Sequence, residues 1–199
     1  MNLSDRDSRR IREFYGEAFA RHGVDPKSLH WINSYNQRRR FEVLAAAGDL
    51  RGASILDVGC GLGDFLEFLK ERGIDADYTG IDIVPQFIEA ARSRFPDGKF
   101  LLENILEMVG EFDYVLASGA MSFRVEDNEN YYFEVIKRMF DLSRRAAAFN
   151  MLDRRAHEET DIYAVYDPRE IALFCETIAR RIDVAIDYMP DDFTVYMYK

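Results

Sequence analysis

A glycine-rich segment, Asp57–Gly63, has the residue types and spacing of a ligand-binding loop. It follows the pattern Asp-x-Gly-x-Gly-x-Gly, and a second acid, Asp64, comes directly after it. Glycine reaches backbone angles that are closed to other residues and lets a ligand approach the main chain. The segment is therefore a candidate binding site, and its neighbours indicate which ligands it can take.

The residues around the last glycine disfavour phosphate ligands. A phosphate-binding P-loop is excluded because Gly63 is not followed by Lys and then Ser or Thr. A dinucleotide fingerprint is disfavoured because Asp64 stands at its third glycine position, close to where a pyrophosphate docks on the helix N-terminus. The loop suits a ligand that carries ammonium and sulfonium groups instead of phosphates.

Alternating strands and helices would position this loop. Ser54–Val58 is a short apolar strand directly before it, and a helix runs from Phe65 to a stop at Gly73. The same alternation continues with strands at 78–82, 99–102, 112–117 and 146–152 and helices at 85–95, 130–142 and 168–179. This pattern predicts an open, mostly parallel α/β sheet, in which ligands bind at the carboxyl ends of the strands.

The chain is predicted to close with an antiparallel hairpin. Two apolar segments, 182–188 and 193–198, have the pattern of strands, and only four residues join them. So short a link has no room for a crossover helix, so the two strands must run in opposite directions.

The first fifty residues have the pattern of helices. Ser4 and Asp7 resemble a capping box, and the first helix would end at His22 and Gly23. A second helix is predicted from Asn33 to Ala47. We therefore expect an N-terminal helical cap or lid over residues 1–50 and a ligand-binding domain over residues 51–199, in a single structural unit.

The bulk composition narrows the class of protein. The 199 residues are 48% hydrophobic and 31% charged, with no apolar stretch typical of a transmembrane helix or a secretory signal. The two cysteines, Cys60 and Cys175, cannot form the disulfide framework of a small secreted protein. The formal net charge of −10 argues against nucleic-acid binding. We expect a cytoplasmic protein that binds neither membrane nor nucleic acid.

The sequence resembles the class I S-adenosylmethionine (SAM)-dependent methyltransferases over most of its length. The residues that carry the resemblance are the loop at 56–63, the segments 80–83, 103–105 and 112–118, and the terminal hairpin. An acid, Asp82, stands 25 residues after Asp57 at the next strand end. The resemblance implies a Rossmann-like three-layer sandwich whose seven strands have the order 3-2-1-4-5-7-6. It also implies SAM as cofactor and S-adenosylhomocysteine (SAH) as product.

The resemblance assigns four residues to the adenosine part of SAM. Asp82 would accept hydrogen bonds from both ribose hydroxyls, as a carboxylate at a strand end can. Ile83 would pack on the adenine. Asn104 stands where the family usually has Asp, and its amide oxygen can still accept from the adenine amino group. Ile105 would offer its backbone N–H to the ring.

Other residues would hold the methionine part. Asp57 would bind the ammonium group, and the backbone of Ser118 is a further candidate for that contact. Arg40, in the predicted lid, would pair with the SAM carboxylate. The loop residues that would face the methionine are Gly59, Cys60 and Gly61.

The acceptor site is less defined by the sequence. Residues after the fourth strand usually touch the acceptor in this family, and here the segment 118–121 is small and apolar, which favours a small acceptor. It lacks the Asn/Asp-Pro-Pro-Tyr/Phe motif of members that methylate DNA bases. We expect Met121, Phe123 and Tyr131 in the acceptor pocket.

The sequence identifies no definite catalytic group. Methyl transfer is an in-line displacement that relies on proximity and alignment, so a dedicated base is not always required. His157 and Tyr166 are weak candidates for one. The spacing of His, Cys and acidic residues supports no metal site.

Two functions from different classes stay open at this point. The first is an active methyltransferase, monomeric or homodimeric, that acts on a small molecule. The second is a non-catalytic SAM- or SAH-binding domain that serves as a regulatory or partner subunit, because fold and loop alone do not define chemistry. An NAD-dependent oxidoreductase is disfavoured by Asp64 and the loop spacing.

Overall fold

A computed structural model describes residues 3–31 and 34–199. Within these ranges it contains seven strands, six α-helices and a 3-10 helix at Pro26–Leu29. The strands are β1 Ser54–Val58, β2 Asp77–Asp82, β3 Lys99–Leu102, β4 Phe112–Ala117, β5 Ser143–Leu152, β6 Arg181–Ala185 and β7 Asp192–Tyr198. The α-helices are α1 Asp5–His22, α2 Ser34–Ala45, α3 Asp64–Glu71, α4 Pro85–Arg94, α5 Asn128–Leu142 and α6 Pro168–Glu176.

The strands form one sheet in the order β3-β2-β1-β4-β5-β7-β6, which confirms the predicted topology. Strands β1 to β5 are parallel, and β7 runs antiparallel between β5 and β6. The chain moves from β1 outward to β3 and then returns to place β4 on the other side of β1. This reversal opens a crevice at the carboxyl ends of β1 and β4, where ligands of such sheets bind.

Both faces of the sheet are covered, as the near-continuous apolar strands require. In β1, Ile55 belongs to a buried cluster that includes Phe68 of α3, whereas Leu56 belongs to a second cluster that includes Ile136 of α5. Alternate residues of one strand thus enter the two opposite cores. The three-layer arrangement predicted from the sequence is confirmed.

Several helix and strand ends differ from the prediction. Strand β6 ends at Ala185 and not at 188, because Asp187 has φ +65°, a left-handed backbone that lies outside the β region. Strand β5 begins earlier, at Ser143, and helix α6 ends earlier, at Glu176. Helix α2 ends at Ala45, and its predicted start at Asn33 lies outside the described residues.

The N-terminal segment lies on the carboxyl edge of the sheet. Ser4 caps α1 by accepting a hydrogen bond from the Asp7 amide at 3.0 Å. From α1, the Arg12 Nε donates to the Ile83 carbonyl at 2.9 Å, just after β2. The Arg10 Nη1 donates to the carbonyl of Arg124, in the connection after β4, at 3.2 Å. These contacts hold α1 against the residues that follow β2 and β4, and the division into a cap or lid over residues 1–50 and a domain over residues 51–199 stays a prediction.

No helix in the described ranges is both long and apolar enough to cross a bilayer.

Candidate functional site

A cavity lies between the N-terminal segment and the carboxyl ends of β1, β2, β3 and β4. Its floor contains Asp57 and Val58 from the end of β1 and Ser118 from the residue after β4. Its roof contains Tyr15 of α1 and Trp31. The cavity therefore occupies the crevice that the strand order opens.

The glycine loop fits tightly between its neighbours. Gly59, Gly61 and Gly63 have φ of +70°, +52° and +81°, respectively, and side chains rarely adopt this left-handed region. A Cβ atom at Gly59 would lie 2.6 Å from the Cβ of Ala120. Ala120 therefore fills the space that a side chain at residue 59 would need, so only glycine fits at this point of the cavity lining.

Asp82 is fixed by backbone amides at the mouth of β2. Its Oδ2 accepts from the Gly61 N–H and its Oδ1 from the Val84 N–H, both at 2.9 Å. Burial raises the pKa of this carboxyl to about 6, although the amide hydrogen bonds oppose the shift. A carboxylate has about four lone-pair sites, so these amides leave acceptor capacity for a hydroxyl donor from a ligand in the cavity.

Asp57 is a second buried carboxyl of the cavity lining. The Tyr78 hydroxyl donates to its Oδ2 at 2.6 Å. Burial raises the pKa of Asp57 to about 7, against the opposing effect of the Tyr78 hydrogen bond. A cationic group bound beside Asp57 would reverse this shift, so the arrangement favours a ligand that brings positive charge.

The residues after β2 and β3 form the wall predicted for a purine. Ile83, Asn104 and Ile105 all line the cavity. The Asn104 Oδ1 accepts from the Leu106 amide at 3.0 Å, which holds the side chain in a local turn. Glu103 also lines the cavity and was not predicted.

The predicted acceptor residues meet in the same cavity. Met121, Phe123 and Tyr131 all line it, beside Ser118. The Ser118 Oγ is buried and has no hydrogen-bond partner among the described residues. An unpaired buried hydroxyl is costly, and a polar ligand atom would satisfy it. The ligand roles of these residues stay predictions, but the structure brings their side chains together.

Two residues predicted to contact the cofactor, Arg40 and Gly61, do not line the cavity. The side chain of Arg40 does not line the cavity but forms a buried ion pair with Asp192 of β7. Gly61 also lies outside the lining, because its amide bonds Asp82 and the side chain of Leu29 lies over it. The geometry therefore does not support Arg40 as the partner of a ligand carboxylate.

Neither candidate for a catalytic base lines the cavity. The Nε2 of His157 faces the Oδ2 of Asp191 at 3.4 Å in a loop after β5. The Tyr166 hydroxyl donates to the Met121 carbonyl at 3.0 Å and accepts from the Asn128 side chain at 2.9 Å. Both hydrogen-bonding directions of Tyr166 are thus used inside the protein, where they join the loop after β4 to the start of α5.

The sequence reasoning missed the cavity residues contributed by the N-terminal segment. Tyr15 of α1 lines the cavity and also packs against the buried core. Gln37 of α2 also lines the cavity, and its Nε2 donates to the Oδ2 of Asp64 at 2.8 Å. Asp64 is further paired with Arg94 at 2.5 Å. Trp31 and Gln37 were the residues of the predicted lid whose types could have indicated a role in the cavity.

The charges of the lining have one sign. The side chains that line the cavity include four acids, and within the described ranges no Lys, Arg or His belongs to the lining. The acids are Asp57, Asp64, Asp82 and Glu103. The remaining lining is largely apolar, with eight aromatic side chains: Tyr15, Trp31, Phe41, Phe65, Phe87, Phe123, Tyr131 and Tyr132.

Comparisons with known proteins agree with this geometry. Residues 55–143 match the family model described as a methyltransferase domain. A protein of Mycobacterium tuberculosis with the name "Putative methyltransferase Rv1506c" is 31% identical over 156 residues, which are 73% of this chain and 93% of that protein. The magnesium-protoporphyrin O-methyltransferase of Rhodobacter capsulatus is 37% identical over 81 residues, 38% of this chain and 35% of that enzyme.

Solved structures share the fold. Magnesium protoporphyrin IX methyltransferase from Synechocystis PCC 6803, crystallised with SAM, superposes with a TM-score of 0.73 at 15% identity over 100% of both chains. The 1,6-didemethyltoxoflavin-N1-methyltransferase of Burkholderia thailandensis, crystallised with 1,6-didemethyltoxoflavin and SAH, gives 0.72 at 16% identity over 100% of this chain and 91% of that one.

Proposed function

The chain belongs to the class I SAM-dependent methyltransferases, and from this premise we propose that it methylates a small, uncharged acceptor that contains an aromatic ring. The observation that carries the proposal is the lining of the cavity, which joins four acids and eight aromatic rings without a basic side chain in the described ranges. The first feature suits SAM, and the second suits the acceptor.

The acids and the glycine loop fit SAM. We propose that Asp82 accepts the ribose hydroxyls and that Asp57 binds the ammonium group, with the main chain at Gly59 against the methionine part. Ile83 and Ile105 would enclose the adenine. SAM supplies a methyl group on a sulfonium, and the buried carboxylates favour that positive charge over the phosphates of a dinucleotide.

The acceptor must do without a counter-ion from the protein. Three arginines of the N-terminal segment are engaged elsewhere, since Arg10 pairs with Asp7 at 3.0 Å, Arg40 pairs with Asp192, and the Arg12 Nε donates to the Ile83 carbonyl at 2.9 Å. His30 is stacked on a phenylalanine ring, and burial lowers its pKa, so it is neutral at physiological pH. The carboxylate of SAM enters with an ammonium and a sulfonium on the same molecule, whereas a carboxylate or phosphate on the acceptor would bring negative charge without a cation to offset it, so its burial would cost free energy.

The aromatic part of the lining gives the acceptor its shape. Tyr15, Phe123 and Tyr131 offer ring faces and edges on which a flat molecule stacks favourably. Burial raises the pKa of Tyr131 to about 12 and that of Tyr15 further, so both hydroxyls stay protonated and can orient an acceptor without removing its proton. The protein would contribute alignment of acceptor and methyl group and exclusion of water.

Labelled SAM and matched pairs of acceptors test this proposal. Each pair is a ring phenol or nitrogen heterocycle and the same ring with an added carboxylate, incubated with the full chain. We expect transfer to the uncharged member to exceed transfer to the carboxylated one by tenfold or more. Preferential methylation of the carboxylated members contradicts the proposed acceptor class, and SAH binding without transfer to any acceptor contradicts the proposed catalysis.

A variant separates acceptor binding from cofactor binding. Phe123→Ala removes a ring from the acceptor side and is expected to raise KM for the acceptor at least fivefold while the Kd for SAH stays within twofold. Leu173→Ala serves as the control, because Leu173 is an exposed apolar residue of α6 outside the cavity lining. Equal KM values for both variants and the wild type would contradict an acceptor site at Phe123.

A further inference from the structure

A buried ion pair connects helix α2 of the N-terminal segment to the start of strand β7. Arg40 of α2 and Asp192 at the start of β7 are 152 residues apart in sequence, and their side chains are 8% and 2% exposed. The desolvation of two charges offsets most of their attraction, so a pair of this kind is weak evidence for stability. Its position is therefore more informative than its energy.

The Asp192 carboxylate contacts the edge of the Arg40 guanidinium, and an indole ring covers one of its faces. The Arg40 guanidinium carbon lies 4.2 Å from the centroid of the Trp31 ring, a cation–π geometry. Arg40 thus lies between Asp192 and Trp31, and the carboxylate fixes the plane in which the guanidinium meets the ring. Planar guanidinium groups suit such a combined role better than ammonium groups do.

Trp31 in turn forms part of the site. Its ring lines the cavity, and a Cβ atom at Gly119 would lie 3.2 Å from its Cη2. It follows directly on the 3-10 helix and its His30 cap, and the last residue of that helix, Leu29, lies over the glycine loop at Gly61. The indole therefore closes the cavity between the loop after β1 and the loop after β4.

We propose that Asp192 and Arg40 are positioning residues, which hold the Trp31 ring over the cavity in the geometry that methyl transfer requires. This inference rests on the proposed function for its kinetic part only. The same ion pair neutralises Arg40, so the arginine orients the indole without presenting a free charge to the acceptor. The sequence-based assignment of Arg40 to a ligand carboxylate is thereby replaced by an indirect role.

The composition of the chain provides a direct readout, because Trp31 is its single tryptophan. Indole emission shifts to the red when water reaches the ring, so the emission maximum reports the position of this one side chain. We expect Arg40→Gln and Asp192→Asn to shift the emission of the ligand-free protein to the red and to lower kcat/KM for SAM at least tenfold. Asp192→Glu, which keeps the charge, should recover part of both.

Arg39→Gln is the matched control. Arg39 is the neighbouring residue on α2, with a half-exposed side chain that pairs with Glu42 at 3.0 Å. Its variant should keep the emission and the kinetics of the wild type. If Arg40→Gln and Asp192→Asn give the same emission maximum and the same kcat/KM as Arg39→Gln, the proposal is overturned.

Loss of one member of a buried ion pair can prevent folding. The double variant Arg40→Met/Asp192→Leu removes both charges together and retains the buried volume. A folded double variant with red-shifted emission and lowered kcat/KM supports the positioning role, and one with unchanged values of both overturns it. The emission of the ligand-free protein does not depend on SAM, so a failure of SAM binding in the wild type would contradict the proposed function and leave this test valid.

Discussion

At the scale of single residues, the carboxyls at the ends of β1 and β2 are buried, and hydrogen bonds from the protein use only part of their capacity to accept. Asp82 accepts two backbone amides and Asp57 one tyrosine hydroxyl, yet burial raises the pKa of each by more than these hydrogen bonds lower it. Both carboxyls therefore ionise most readily when a ligand supplies further donors or positive charge. Ligand binding and proton release at these two carboxyls are therefore coupled.

Removal of the Asp82 carboxylate should weaken SAM and SAH binding. Asp82→Ala leaves two ribose hydroxyls without acceptors, and we expect a loss of about 2 kcal/mol or more, roughly thirtyfold in Kd. Titration calorimetry of the variant measures it. Asp77→Ala, at the exposed opposite end of the same strand, is the control and should bind as the wild type does. Equal Kd values for the two variants would refute the ribose assignment.

Binding should also depend on pH. The pKa values of about 6 for Asp82 and about 7 for Asp57 lie above the ordinary value of 3.8, so both groups take up protons as the pH falls through that window. If the ligand prefers the ionised forms, its affinity is highest above pH 7 and lost below it, about tenfold or more between pH 8 and pH 5. Calorimetry with SAH at both values checks this.

The contribution of Asp82 can be separated in the same experiment. Asp82→Asn still accepts hydrogen bonds but does not titrate, so its pH dependence should keep only the part near pH 7 that belongs to Asp57. An affinity for SAH that is equal or higher at pH 5 than at pH 8 in the wild type would show that these carboxyls do not hold the ligand.

At the scale of elements, the turn between β1 and α3 depends on glycine for two separate reasons. Gly59 has a left-handed backbone, and Ala120 leaves no room for a Cβ atom at this position. Gly52 shares the first requirement, with φ +64°, but a Cβ atom there would meet nothing within 4 Å. This pair of positions separates backbone strain from close approach.

We expect Gly52→Ala to cost about 1–2 kcal/mol of folding stability and to leave SAH binding unchanged. Gly59→Ala should cost more, because its Cβ would lie 2.6 Å from that of Ala120, and it should abolish measurable SAH binding. Chemical denaturation and calorimetry of the two folded variants measure these effects. Similar SAH affinities for both would place the ligand away from the loop.

The elements also show how far local sequence determines structure. The bounds of β1 and β4 were predicted from apolar runs because strands buried on both faces leave no other pattern, and the short run of the edge strand β3 was bounded correctly as well. The 3-10 helix at Pro26–Leu29 was missed, although the Asp25 side chain caps it by accepting from the Lys27 amide at 2.9 Å. It resembles the Asp167-Pro168 start of α6 but is too short to show a helical period.

At the scale of the whole molecule, the sequence predicted the site residues at the strand ends but not those that the N-terminal segment contributes. The residues at the strand ends, such as Asp82 and Ser118, were predicted because parallel strands bring their carboxyl ends to one edge. Tyr15 and Trp31 were not, because the path of the N-terminal segment over that edge depends on distant contacts such as Arg12 with the Ile83 carbonyl. The partners of Arg40 and Tyr166, which are Asp192 and the Met121 carbonyl, are also distant in sequence, so local patterns did not reveal them.

Calorimetric titration of the full chain with SAH and with NAD distinguishes a cavity that binds SAM and its product from one that binds a dinucleotide. We expect saturable binding of one SAH per chain and no heat of binding with NAD, because Asp57, Asp82 and Glu103 in the lining disfavour a pyrophosphate and no basic side chain of the described lining offsets them. Binding of NAD with no binding of SAH would contradict the account.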